Sequence, residues 1–491
     1  MKKKIGIVVG VLVLLVAAAG GIYYYMTNTP KNKYLLSEKQ SIESWNTYFA
    51  DRYSNELTLQ EAMREEPYRS SVTFSAGASD TLLSMLGIPS AIVDSTSITL
   101  NMGHDEKAQQ SELSLAPTFA GTEIDKFEWT ADKDAQYIKT PLFTDKLMVK
   151  NADMKKVYER FTGESVPEDF DPNMVNLNKL MEANFTQQQL EEMQERYLKV
   201  AIESLEDEQF KKGSETTAIF GNDEKVDTVT MTLNNDDLHK VLKNMVAEMK
   251  KDEAIKNWYN SSMSTYDTQS YEETLDNLLE DVKSENFGTL VAKNYMDGKK
   301  ILKRDITWKS DTANDGIHVM ITEKIDQDVQ LEVVVQDLDS TVFARVEGTS
   351  KGTKHVVDDY KLTIGEDDMP FIISMKNDEK VDGDERTNHV DFVLADDNGE
   401  TYKATYKNTM VTDVKNNKQT SRGSIAFDVM EDENVTVNID STTTVKQKLD
   451  VKRDGAVDLN KMSDEEFEQL QQSIMTNVQV LVDQLNLANS F

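Results

Sequence analysis

The hydrophobic positions fall into three textures along the chain. First comes an uncharged run from Ile5 to Met26, preceded by Lys2, Lys3 and Lys4. At about 1.5 Å per residue the run covers a hydrocarbon core of roughly 30 Å, which predicts one N-terminal transmembrane helix. The lysines then remain cytoplasmic as residues 1–4, Tyr23, Tyr24 and Tyr25 lie at the outer interface, and the C-terminal part is extracellular. Ala17 and Ala19 also form a small-x-small cleavage site, but the apolar run continues through Ile22, which favours retention over cleavage. Pro30 and its polar neighbours mark the end of this helix.

The second texture is helical. Residues 37–66 place Ile42, Trp45 and Phe49 on one face, with Ser37 or Ser41 as N-cap, and form with residues 27–36 a linker and stalk. Residues 173–212 carry a stripe of Leu190, Met193, Tyr197, Ala201 and Leu205. A helix opening at Asn234 or Asn235 carries Leu238, Val241, Leu242, Met245, Val246 and Met249 without a break in the helical period. Tyr271, Leu275, Leu278, Leu279 and Val282 predict another, and Ser463 with Glu466 makes a capping box for a C-terminal one.

Alternation with a period of two is the third texture, in short runs from Ser70 to Lys150 and through most of the chain beyond residue 286. Asp132-Lys133-Asp134, Asp297-Gly298 and Asn398-Gly399 divide such runs as hairpin turns. Val329, Leu331, Val333 and Val335 alternate with polar residues, as in a sheet with one buried face. From Val435 to Val451 the apolar positions share one parity, which predicts a single long strand. Asn222–Asp227 recurs as Asn377–Asp382, a hint of duplicated halves. The expected division is a mixed α+β unit at 67–285 and a mostly β unit at 286–491.

Composition narrows the function. The 491 residues hold 54 Lys and Arg against 87 Asp and Glu, a net charge of −33, which repels phosphate backbones and excludes a nucleic-acid binder. With no cysteine, disulfides, thiolate metal sites and cysteine nucleophiles are excluded too. Low proline, no cysteine and abundant Asn, Lys, Asp and Glu resemble proteins of Gram-positive bacteria.

The five histidines, His104, His239, His318, His355 and His389, form no metal or triad motif, and no phosphate-binding glycine loop or Gly-x-Ser-x-Gly elbow occurs. Asp378, Asp382 and Asp384 approach a calcium loop, but Lys380 stands at a ligand position and the closing glutamate is missing. No catalytic, cofactor or metal residue is assigned, and the chain reads as a non-enzyme. The 22 methionines are the remaining excess, several near the Leu238–Met249 helix, where they suit either core filling or an adaptable binding surface. Polar substitution of Leu242, Met245 and Met249 separates the two: loss of folding for a core, loss of ligand for a lid.

The runs Phe127–Thr130, Gln136–Thr140 with Pro141-Leu142-Phe143, and Val226–Leu233 leading into the Leu238–Met249 helix resemble the lipoprotein-carrier half-barrels of the LolA and LppX type. The chain as a whole resembles single-pass membrane-anchored proteins of Gram-positive bacteria. The resemblance implies a large curved antiparallel sheet, in one or two half-barrel units, with covering helices. Two functions fit it. One is a membrane-anchored binding protein holding a lipid or other hydrophobic ligand on an apolar sheet face. The other is a non-catalytic surface scaffold or sensor acting through envelope protein partners.

Overall fold

The computed structural model describes residues 29–166, 175–181, 187–262, 270–311, 315–365, 370–396, 398–430 and 433–488. The apolar run 5–26, and with it the expected transmembrane helix, lies outside the described residues. The strands are β1 (Tyr68–Ala78), β2 (Ser97–Asp105), β3 (Gln110–Phe119), β4 (Thr122–Glu123), β5 (Phe127–Ala131), β6 (Ala135–Lys139) and β7 (Leu147–Lys150). Then follow β8 (Phe210–Ile219), β9 (Asn222–Leu233), β10 (Thr289–Asp297), β11 (Lys300–Lys309), β12 (Gly316–Ile325), β13 (Val329–Gln336) and β14 (Val342–Lys351). The last are β15 (His355–Ile364), β16 (Phe371–Asp382), β17 (Glu385–Ala395), β18 (Thr401–Asp413), β19 (Lys418–Met430), β20 (Glu433–Val445) and β21 (Val457–Asp458).

All 21 strands belong to one sheet, and this corrects the expectation of half-barrel units. From β8 to β20 each strand pairs with the next as an antiparallel meander. The sheet then continues through β1, because Tyr68–Ala78 pairs along its whole length with β20 on one side and with β2 on the other. β3, β5, β6 and β7 complete the row, and only the contact of β21 with β7 is parallel. Alternation alone could not reveal this continuity, since β1 and β20 are more than 350 residues apart in sequence.

Local signals behave as their chemistry dictates. Gly298 (φ 63°) and Gly399 (φ 82°) supply the left-handed backbone of the expected hairpin turns, and Asp132–Asp134 joins β5 to β6. Asn234 caps the Asn235–Met249 helix and Ser270 the Tyr271–Ser284 helix, each through a reciprocal capping box. Ser463 and Glu466 likewise open the Asp464–Ala488 helix. The predicted strand from Val435 to Val451 ends at Val445, where Lys446 turns to φ 61°. Of the helix expected over 173–212, the structure shows Leu177–Met181 and Gln187–Ser204, and Phe210 already begins β8. The repeated hexapeptide opens β9 in one place and closes β16 in the other, so it marks no common unit.

The stalk helix departs most from its sequence pattern. It begins at Pro30, capped by the Thr29 hydroxyl, and runs to Arg52; Tyr53 (φ −121°) separates it from a second helix, Ser54–Glu65. Its buried residues are Tyr34, Leu35, Ser37, Glu38 and Ser41, whereas Phe49 is 46% exposed. The polar residues are buried because the sheet offers them partners. Arg304 of β11 binds Glu38 (Nη2–Oε2 2.9 Å) and Glu323 of β12 (Nη1–Oε1 2.7 Å). Ser41 donates to Glu323 at 2.6 Å and Asn294 of β10 to Glu38 at 2.7 Å. All three charges are almost fully buried.

Near the C-terminal end of the helix a second clamp repeats the chemistry. Arg52 makes a fork to Asp358 of β15 (2.6 and 3.0 Å) and reaches Glu379 of β16 at 3.0 Å. Arg386 of β17 lies 2.7 Å from Glu379, binds Glu56 of the second helix at 3.0 Å, and sits 4.5 Å from the centre of the Tyr53 ring. Burial alone would raise the Asp358 carboxyl, but hydrogen bonds from Arg52, Ser350 and Asn377 outweigh it and hold the group below its ordinary value.

Two outcomes follow. Arg304→Met leaves Glu38 and Glu323 buried without a counter-charge and is expected to cost about 3–5 kcal/mol of stability in urea unfolding; a loss under about 1 kcal/mol would remove the triad as the anchor of the helix. Because Asp358 is depressed in the folded state, its contribution is complete above the unfolded carboxylate value of about 3.9 and is lost as pH falls through the lower folded value. Urea midpoints should therefore drop as pH descends below about 4, and Asp358→Asn should flatten that part of the curve.

Candidate functional site

The strand register carries one apolar row out from under the covering helices onto open sheet. Met231 of β9 is paired with Ala292, Ala292 with Ile306, and Ile306 with Val319 of β12. The same row continues through Val335, Ala344, Ile364 and Phe371. A neighbouring row leads from Arg304 through Ile321, Val333, Val346, Leu362, Ile373 and Leu394 to Tyr402. Both therefore lie on the face that receives the Pro30–Arg52 helix.

The first part of this face is closed. Leu238, Val241, Leu242 and Met245 pack with Met231, Leu233, Leu290 and Trp308 in one buried cluster. Beyond β12 the cover narrows to one end of the strands, where Arg52 reaches β15 and β16 and the Ser54–Glu65 helix lies over β18 and β20. Along the lane that follows, Ile364, Phe392, Tyr402, Phe427, Phe74, Ile98 and Leu115 are each between 37% and 53% exposed. Register places them on one face: Phe392 opposite Ala404, Ala404 opposite Phe427, then Phe74 opposite Ile98 in the continuation of the sheet. Gly348 belongs to the lane because the Tyr360 ring lies against it; an added Cβ would approach the ring to 2.2 Å. Burial raises the Tyr360 and Tyr406 phenols, and the hydrogen bond from Tyr402 to Glu400 (3.0 Å) raises that of Tyr402. The lane is thus neutral over the physiological range.

The central helix forms one wall. Its flank bearing Gln40, Ser44, Thr47 and Asp51 faces the β12–β13 and β14–β15 connections across a cavity of about 720 Å³. Trp45 and Phe49 project from the other flank, their rings stacked at 5.7 Å, and Tyr53 extends the row at 6.4 Å. Helical spacing turns this aromatic row toward the opposite strand ends, where the lane lies. The short helices Asp80–Leu86 and Ser90–Asp94, between β1 and β2, add exposed Met85, Leu86 and Ile88.

Residues singled out from sequence take other places. Leu242 and Met245 are core, and Met249 packs against the Val246–Tyr271–Leu275 cluster, so this helix fills the sheet rather than lidding it. The five histidines stay apart: His104 bonds Ser111, His239 the Glu285 carbonyl, His318 Asp305, His355 Asp378, and His389 lies 3.3 Å from Asp391. Asp378 is tied to His355 and Lys380 rather than to a cation cage. Among the described residues no group of three or more His, Asp or Glu could hold a metal ion. The lane itself was foreshadowed by the alternation of Val333 and Val335 and by the shared parity of Val435, Val437 and Ile439; exposure cannot be read from alternation, which looks the same whether or not a helix covers the face.

No family model matches the chain, and no curated protein matches it. Among solved structures it is similar to a loop-deletion mutant of OmpT, an outer membrane protein of Vibrio cholerae, at 6% identity and TM-score 0.17, covering 77% of this chain and 98% of that one. It is also similar to the outer membrane protein opdK of Pseudomonas aeruginosa (6% identity, TM-score 0.21, 78% and 98% covered) and to Acinetobacter baumannii OccAB4 (7% identity, TM-score 0.21, 78% and 99% covered). The expected address, a single-pass Gram-positive membrane protein with a cytoplasmic N-terminus and an extracellular body, is corrected to this extent: among the described residues no helix is long and apolar enough to cross a membrane. The first described helix buries Ser37, Glu38 and Ser41 against the sheet, as a membrane span would not.

Proposed function

We propose that this chain is a non-catalytic binding protein and that the uncovered lane receives a hydrophobic ligand or the apolar side of an amphipathic one. The observation that carries this reading is the run of large, exposed apolar side chains held in register on one face beside the covering helices. Contiguous apolar surface of more than a few hundred Å² on a folded chain marks a place where something binds. The site is preformed: the lane rests on paired strands, and its helical wall is fixed by buried ion pairs. Neutral side chains on the lane and a polar helix flank behind it favour a ligand with an apolar body.

Titration of the full chain with the neutral fluorophore N-phenyl-1-naphthylamine should give saturable enhancement that a long-chain alcohol displaces. Phe392→Ser combined with Phe427→Ser should weaken the probe about tenfold or more, because each ring contributes about 1.5–3 kcal/mol of apolar burial when covered. Both rings are exposed, so the thermal midpoint should stay nearly unchanged. Undiminished probe binding in that variant would overturn the proposal.

A further inference from the structure

From β11 onward the hairpin connections at the lane end of the meander are acidic. The segments joining β11 to β12, β13 to β14, β15 to β16, β17 to β18 and β19 to β20 contain no lysine or arginine. Asp337, Asp339, Asp396 and Glu400 stand among them, and Glu433 opens β20. Among the described residues no ion pair engages these five acids. At the other strand ends Lys299, Lys354 and Lys415 enter three of the connections, and of the acids in the rest Asp326 is paired with Lys300. The lane is therefore a neutral apolar strip bordered on its open side by unneutralised carboxylates.

The same face already holds a helix. Pro30–Arg52 lies across successive strands, and its row of half-buried Trp45, exposed Phe49 and half-buried Tyr53 is turned toward the neighbouring strip. A second helix laid beside it would meet the sheet below and this aromatic row at its side, at the usual separation of about 8–10 Å between packed helices. We propose that the lane seats an amphipathic α-helix of a partner protein, apolar toward the sheet and cationic toward the acidic connections. This rests on the apolar-binding reading above and names its occupant. The charge border selects against an anionic amphiphile, and equally against a second copy of this chain: its C-terminal helix exposes Met475 and Val478 but begins Asp464-Glu465-Glu466.

A synthetic amphipathic peptide of leucine and lysine, about 18 residues long, and its leucine–glutamate counterpart provide the test, read by fluorescence anisotropy against the full chain. The lysine peptide should bind about tenfold or more tightly than the glutamate peptide and gain helical circular dichroism on binding. Asp337→Asn with Asp396→Asn and Glu400→Gln should weaken it about fivefold or more while N-phenyl-1-naphthylamine binding stays unchanged. The matched variant Asp326→Asn, Asp328→Asn, Asp384→Asn, with the same net charge but altered at the other strand ends, should leave the peptide's affinity unchanged. Phe392→Ser with Phe427→Ser should weaken peptide and fluorophore together. Equal affinity for both peptides, equal effects of the two triple variants, or peptide binding indifferent to the phenylalanines would each overturn the helix proposal. If the fluorophore still binds in a lane-dependent way, only this inference falls; if it does not, the apolar-binding reading falls with it.

Discussion

A helix laid across an antiparallel sheet meets a new strand about every 4.8 Å, while its own turns repeat about every 5.4 Å. Those periods are close enough that one face of the helix can address several strands in succession. Glu38 meets β11 and Ser41, three residues on, meets β12 through Glu323. Arg52 meets β15 and β16; fourteen residues of helix advance about 21 Å, which four to five strand spacings match. The mismatch accumulates, and the helix breaks at Tyr53 before Glu56 reaches β17. The rest of the structure depends on this near-match, because it fixes where on the sheet the helix lies and therefore which apolar positions remain uncovered.

The contacts that enforce it are ionic. Buried ion pairs are a costly way to hold two surfaces together, since desolvation consumes most of the Coulomb attraction. They are, however, directional: Arg304 can satisfy Glu38 and Glu323 together at one position of the helix only, and Arg52 has its fork to Asp358 only if the first clamp is in register. A greasy helix on a greasy sheet could slide along the strip. With polar clamps at both ends this one has a defined position, and the strip beside it stays open.

Openness gives the arrangement its functional meaning. The Asn235–Met249 helix shows what a covered sheet looks like here, with Leu238, Val241 and Met245 closing over Met231 and Trp308. On the lane, side chains of similar size and identical facing have no such cover, although the same register connects the two regions. Acidic connections along the margin turn an apolar strip into one with a preference for charge.

Much of this was legible in the sequence. The period of Leu238–Met249, the capping residues Asn234, Ser270 and Ser463, and the turn dipeptides Asp297-Gly298 and Asn398-Gly399 determined their elements locally, because each acts over a few residues. Tertiary structure alone decided the rest. The pairing of β1 with β20 joins distant segments into one sheet, and no local pattern encodes such a partner. The helix at Pro30–Arg52 shows Ile42, Trp45 and Phe49 as its apolar stripe, yet beyond Tyr34 and Leu35 it buries Ser37, Glu38 and Ser41, because there the opposing sheet presents Arg304, Asn294 and Glu323. Which face of an amphipathic helix turns inward is settled by what it meets, and that surface exists only once the strands have paired.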